Sequence, residues 1–316
     1  MAEQPIEVKV GTRESRLALW QTEWVVGELS KAYPEREFAY VWIKTKGDKI
    51  LDSPLARIGD RGLFVKEIEE ALLAREVDLA VHSMKDVPTE IRAGLTIAAV
   101  TGRADPRDCL LSRRYRSFAE LPEGARIGTS SLRRVAQLKA SRPDLEFVSI
   151  RGNLDTRLRK LDTMDLEAIV LAAAGLERLG WTELVVERLP PDLCLPAVGQ
   201  GALGIETRAE DGETHALVQV LADPVTTACV AAERAFLAEL EGGCQVPIGA
   251  LAELDGGALR LRGAVASLDG SRLVRGERRG PLNQPQELGR TLGKELLARG
   301  GREILAAIRA EGKSEA

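Results

Sequence analysis

The sequence predicts an α/β protein: two similar lobes built on parallel sheets and facing a cleft, followed by a small α+β domain. Three observations lead there. Short apolar runs alternate with helically spaced ones through the first two thirds of the chain. The plan of the first third recurs in the middle third. From Asp223 onward the pattern changes to long apolar runs separated by Asp-Gly turns.

Ile6 to Gly11 reads as a strand and Thr12-Arg13-Glu14-Ser15 as a turn; Leu17, Leu19, Trp20, Trp24, Val25 and Leu29 then follow at helical spacing. Glu37 to Ile43 is a second strand, ending in Lys44-Thr45-Lys46-Gly47-Asp48. Ile58 to Phe64 is a glycine-hinged loop that leads into a helix from about Val65 to Ala74. Asp78 to His82 is a strand of the buried type, stopped by Ser83-Met84-Lys85-Asp86-Val87-Pro88, where proline biases its predecessor away from helix. The middle third echoes this order. Lys9-Val10-Gly11-Thr12 is matched by Arg126-Ile127-Gly128-Thr129, Lys46-Gly47-Asp48 by Arg151-Gly152-Asn153, and Asp78 to Val81 by Glu167 to Val170. Pro190 to Pro196 is a linker, and Gly199 to Glu206 returns the chain to the cleft. A helix over Thr226–Leu240, strands over Ile248–Leu254, Leu259–Leu268 and Arg272–Arg279, and a last helix from Gln286 to about Arg309 complete the reading. The expected division is residues 1–101 with 200–219 for the first lobe, 105–195 for the second, and 223–316 for the C-terminal domain.

At 316 residues the chain is too long for one ordinary core. Apolar residues at 44% and charged residues at 29% describe a globular protein. Ala168 to Leu176, a long apolar run, is far too short to span a bilayer, and the polar, acidic start is unlike a secretory signal. Cys109, Cys194, Cys229 and Cys244 have neither disulfide-scaffold nor metal-ligand spacing. The expectation is a cytoplasmic, metal-free monomer that binds neither membrane nor nucleic acid. The net charge of −4 and the 4% aromatic content weigh against a nucleic-acid role. Even so, basic residues crowd the stretch from Arg126 to Lys160, which suits a small polyanion.

Two constellations carry chemistry. Ser130-Ser131-Leu132-Arg133-Arg134 opens a helix just after a strand, with Ser130 or Ser131 as the cap. Cations in a first helical turn oppose the macrodipole, so an anion beside them is expected. Arg151 and Arg157 belong to the next strand-end loop and helix. Several arginine forks together imply a ligand with several carboxylates. Lys85-Asp86, at the end of an apolar strand, is a candidate catalytic pair, its carboxylate suited to a cation that develops during reaction. A third feature is Glu241-Gly242-Gly243-Cys244-Gln245-Val246-Pro247, a connection that presents one thiol between a helix and a strand.

Taken in order, Gly62 to Glu67, Val81 to Pro88, Gly128 to Arg134, Arg151-Gly152-Asn153 and Gly242 to Gly249 resemble the porphobilinogen deaminase (hydroxymethylbilane synthase) family. The resemblance implies a transferase that joins four porphobilinogen molecules head to tail, releasing ammonia each time. The primer would be a dipyrromethane cofactor held by a thioether to Cys244. Asp86 matches the aspartate that contacts pyrrole nitrogens, with Lys85 beside it. Thr129, Ser131, Arg133, Arg134, Gly152 and Gln200 match positions around the cofactor. Arg13, Ser15, Phe64, Arg151 and Arg157 match positions that hold substrate. Arg16 departs from the family, which usually has proline there. A two-lobed α/β cleft is also the plan of type II periplasmic solute-binding and ligand-sensing proteins, which bind anions without chemistry. The third domain with its presented cysteine is what such a module would not need.

Overall fold

The computed structural model describes residues 7–49, 65–241 and 246–314. These divide into two compact units. The first takes residues 7–49, 65–104 and 202–227; the second takes 105–201, 228–241 and 246–314.

The first unit begins with β1 (Glu7–Thr12), α1 (Arg16–Ala32) and β2 (Glu37–Trp42). It continues with α2 (Lys66–Leu73), β3 (Leu79–Ser83) and β4 (Leu95–Val100). β1 lies between β2 and β3, parallel to both. Val8, Val10, Leu79 and Val81 pack beneath Val25, Val26 and Leu29 of α1 to form its core.

The second unit repeats the arrangement. β5 (Asp108–Leu111), β6 (Arg126–Gly128), α3 (Leu132–Ser141), β7 (Glu146–Val148), α4 (Leu154–Thr163), β8 (Ala168–Ala172), α5 (Ala173–Arg178) and β9 (Glu187–Arg188) succeed one another. β6 lies between β7 and β8 and is parallel to both. All five residues of β8 are buried, as a strand covered on both faces requires.

The sheets are mixed, where the sequence pattern suggested parallel ones. β10 (Leu203–Arg208) inserts antiparallel between β3 and β4, giving the order β2-β1-β3-β10-β4. β5 inserts in the same way between β8 and β9, giving β7-β6-β8-β5-β9. The exception has the same cause in each sheet. β5 is the first strand after the chain leaves the first sheet, and β10 is the strand on which it comes back, so each enters its new sheet from the opposite end. Gly199 to Glu206, expected as a returning segment, therefore supplies a fully buried strand.

After α6 (Gly212–Val218), helix α7 (Pro224–Glu239) precedes an antiparallel sheet of β11 (Ile248–Asp255), β12 (Ala258–Ala266) and β13 (Leu273–Gly280). The single last helix expected from the sequence is two helices, α8 (Pro285–Leu296) and α9 (Arg302–Ser314). They are parted where Gly300 adopts φ +107°, a conformation no right-handed helix accommodates. Among the described residues, no single helix is long and apolar enough to cross a membrane.

Candidate functional site

In the first unit the parallel strands β1, β2 and β3 all end on one edge of the sheet, so the loops that follow them gather there. Ser15 caps α1, its hydroxyl oxygen accepting from the Ala18 amide at 3.3 Å. Arg13, half-buried, sits just before it. The start of α1 is tied to β1 by Thr22, which donates to Thr12 at 2.9 Å. It is tied to the end of β3 by Gln21, whose amide donates to Ser83 Oγ at 2.9 Å.

Beyond Ser83, the loop expected from Pro88 is one tight 3₁₀ turn, Met84–Asp86. Its backbone is fixed by Met84, which donates to the Ala202 carbonyl at 3.0 Å. The Met84 side chain lies across Gly204, where a Cβ would fall 2.2 Å from the sulfur. Lys85 is half-buried and Asp86 exposed at the rim of this turn. Beneath them His82 and Glu206 form a buried pair at 2.9 Å. Asp86 is therefore a carboxylate open to ligand on a turn that has little freedom to move.

In the second unit the loops after β6, β7 and β8 again share an edge. The Thr129 amide donates to the Val148 carbonyl at 2.9 Å, and Ser130 donates to the Ile150 carbonyl at 2.5 Å, joining the first two loops. Ser131 is the N-cap of α3, accepting from the Arg134 amide at 3.4 Å, and Asn153 caps α4 in the same way at 2.9 Å. Gly152 adopts φ +111°, and a Cβ there would lie 2.5 Å from Thr156. The Arg157 guanidinium folds back to donate to the Gly152 carbonyl at 2.9 Å. Gly152 and Arg157 are thus tied around one turn, with Arg151 the residue before it.

Arg133 and Arg134 share an anion that lies inside the protein. Asp108, fully buried at the start of β5, accepts from Arg133 Nη1 at 2.6 Å and from Arg134 Nη2 at 2.7 Å. Arg133 also donates to the Leu195 carbonyl at 2.6 Å, and Arg134 to the Val170 carbonyl at 2.8 Å. Gln200 Nε2 donates to the same carboxylate at 2.9 Å. Burial alone would push the Asp108 carboxyl up; the two guanidiniums outweigh it and hold the group well below the usual carboxylate range. The charge that opposes the α3 dipole is therefore half neutralised from inside, and the hub of two cations and one anion fixes the wall on which Thr129 and Ser131 sit.

Other cations of the basic stretch are paired as well: Arg126 with Asp165 at 3.0 Å and Arg142 with Asp144 at 2.6 Å. Sequence reasoning passed over Asp108, Gln21 and Arg178. Arg178, at the end of α5, donates to the Gly201 carbonyl at 2.7 Å, and burial lowers its pKa to about 10. The one visible signal for Asp108 was an acidic residue opening an apolar run upstream of twin arginines. Phe64 and Cys244 lie outside the described residues. Of the described cysteines, burial pushes the thiols of Cys109 and Cys194 up to about 12, so neither offers a ready thiolate.

The comparisons with known proteins decide the family. The model of the porphobilinogen deaminase dipyromethane cofactor binding domain matches residues 8–216, and that of the porphobilinogen deaminase C-terminal domain matches 227–298. This chain belongs to the porphobilinogen deaminase family. A porphobilinogen deaminase from Carboxydothermus hydrogenoformans is 53% identical over 303 residues, covering 96% of this chain and 97% of the relative. One from Geobacter sulfurreducens is 55% identical over 301 residues, covering 95% and 94%. Among solved structures, a methionine-binding lipoprotein from Bacillus subtilis is 15% identical at a TM-score of 0.44, covering 69% of this chain and 90% of that one. With membership in the porphobilinogen deaminase family come a transferase activity in tetrapyrrole synthesis, hydroxymethylbilane synthase, and a dipyrromethane cofactor. Each edge by itself offers donors that suit carboxylates: half-buried Arg13 and Lys85 near the capped start of α1 in the first unit, and half-buried Arg151 and Arg157 at the capped start of α4 in the second.

Proposed function

We propose that the residues at the two strand-end edges divide the porphobilinogen deaminase reaction into holding and chemistry. When bound, the dipyrromethane supplies the free pyrrole carbon to which the first substrate unit is joined. Arg13, Ser15, Arg151 and Arg157 hold the acetate and propionate groups of porphobilinogen, arginine forks giving direction and the Ser15 hydroxyl a further donor. Thr129, Ser131, Gly152 and Gln200 shape the cofactor wall. Arg133 and Arg134 keep that wall in place through Asp108 and give it an excess of positive charge. Phe64 packs over the rings, and Cys244 anchors the primer by a thioether.

Asp86 carries the chemistry. Its carboxylate accepts from pyrrole N–H groups and stabilises the positive charge left on the substrate when the aminomethyl C–N bond breaks and ammonia departs. The same group assists loss of the proton from the ring carbon that forms the new C–C bond. Lys85 holds a carboxylate beside it. The work is divided among three domains, residues 1–101 with 200–219, 105–195 and 223–316, in a cytoplasmic monomer that uses neither membrane nor nucleic acid.

The observation that carries this reading is the exposed Asp86 on the short, backbone-fixed turn Met84–Asp86, next to the capped start of α1. The test is Asp86→Asn, which keeps the side-chain shape and removes the charge. The protein is expected to carry its cofactor while turnover falls about 10²- to 10⁴-fold. Activity within a few-fold of wild type sinks the role of Asp86.

A further inference from the structure

β3 and β10 run antiparallel, with Leu203 opposite Ser83, Gly204 opposite His82 and Glu206 opposite Ala80. Alternation puts Ala80, His82, Gly204 and Glu206 on one face of the sheet, where Ala80 packs against Ile68, Ala71 and Leu72 of α2. Glu206 faces only the small Ala80 across the ladder, and His82 reaches it along the diagonal, with Nε2 2.9 Å from Oε2. A carboxylate can only accept, so the imidazole N–H donates. Gly204 has no side chain, and the Met84 thioether fills its place on the same face.

The end of β3 is thus laid on β10 through alternate residues. The Ala202 carbonyl takes the Met84 amide, Gly204 takes the Met84 side chain, and Glu206 takes His82. Only the last of these ties is ionic, and both of its partners are buried. A second carboxylate, Glu69 of α2, is buried close by. Its pKa is raised, first by burial and then by the charge of Glu206; Arg92 and His82 oppose the rise and Glu70 adds to it. So much ionisable chemistry in an apolar layer is costly, and a well-packed apolar pair would serve the core at least as well. Its place, four residues before Asp86, points to another use.

We infer that His82, through its bond to Glu206, is a positioning residue for Asp86: the pair fixes where β3 leaves the sheet, and so where the Met84–Asp86 turn offers its carboxylate. This rests on the reading of Asp86 as the group that carries the chemistry. His82 is buried and acts only through the turn. The tie has to be directional. An N–H meets a carboxylate oxygen in one arrangement, whereas apolar side chains in the same space can settle in several. A displacement of about 1 Å at a group that stabilises developing charge costs about a hundredfold in rate.

The test measures melting temperature, KM and kcat per loaded molecule of the holoenzyme for wild type, His82→Leu, His82→Gln and the double variant His82→Leu with Glu206→Met. His82→Leu strands a buried carboxylate, so melting temperature and kcat should both fall, kcat about tenfold or more, with KM within about threefold. His82→Gln gives Glu206 an N–H donor again and should bring kcat back to within about threefold of wild type. The double variant strands no charge, so its melting temperature should recover while kcat stays low, because the directional tie is still missing. A kcat that recovers with the melting temperature in the double variant makes the pair purely structural and overturns the inference. Wild-type kcat in His82→Leu, or a His82→Gln as slow as His82→Leu, overturns it as well. If His82→Leu does not fold, the double variant decides. Asp86→Asn, assayed alongside, keeps the two readings apart. Wild-type turnover in that variant refutes the role of Asp86 itself; its loss there, with wild-type turnover in the double variant, refutes only the role of His82.

Discussion

Replacing Asp108 by asparagine removes the only carboxylate that Arg133 and Arg134 are seen to share, and leaves two guanidiniums side by side where each residue is no more than 6% exposed. Asparagine can still accept from one of them, but it carries no charge and brings an NH₂ group that points at a donor. Breaking a buried pair by deleting one partner costs about 3–5 kcal/mol, because the remaining charge stays desolvated. At about 2–4 °C per kcal/mol for a unit of this size, thermal unfolding should fall by roughly 6–20 °C. Differential scanning calorimetry at neutral pH reads this directly. The pH dependence gives a second handle. The folded carboxyl is held below its unfolded value, so its contribution is fully present above the unfolded pKa of about 3.9 and is lost as pH falls toward the folded value. The gap between wild type and Asp108→Asn should therefore be constant from about pH 5 to 8 and narrow only below about pH 4. A loss under about 1 kcal/mol, or a gap that closes between pH 6 and 8, would refute the account of the hub.

Further outcomes follow from the same geometry. Gly152→Ala forces a Cβ into a left-handed position 2.5 Å from Thr156 and should cost about 1–3 kcal/mol while raising KM, which thermal melts and steady-state assays check together. Arg157→Leu frees the Gly152 carbonyl and removes a carboxylate partner, so KM for porphobilinogen should rise about tenfold with a smaller change in kcat; an unchanged KM would take Arg157 out of substrate holding. Gln21→Ala cuts the tie between α1 and Ser83; a fall in kcat with cofactor loading intact is expected, and a change confined to melting temperature would make the tie purely structural.

Much of the fold was legible because its signals are local. The loops at Thr12–Ser15 and Thr129–Ser131 announce themselves by a strand ending in glycine and a hydroxyl cap, and both caps are made. What was not legible depends on where the chain goes next. Asp108–Leu111 is too short to stand out by periodicity, and its antiparallel sense follows from the crossing between the two sheets, which no local pattern records. The arginine pair was read correctly as needing an anion, yet the anion lay upstream on another strand. Composition cannot distinguish an internal partner from an external one. The break at Gly300 was visible in Arg299-Gly300-Gly301 and was overridden by the helical spacing on either side. Glu233 is harder still: an acidic residue inside an apolar helix reads as an interruption until its two amide partners, from Gly199 and Ala252, are known.

The central claim is that this chain carries its own primer on Cys244, and the most direct test is the intact mass of the denatured, purified protein beside Cys244→Ala. The account predicts an added mass of two linked porphobilinogen-derived rings on the wild type and none on the variant. A wild type of unmodified mass that stays unmodified after incubation with porphobilinogen, or a Cys244→Ala variant that still gains the rings, would contradict it.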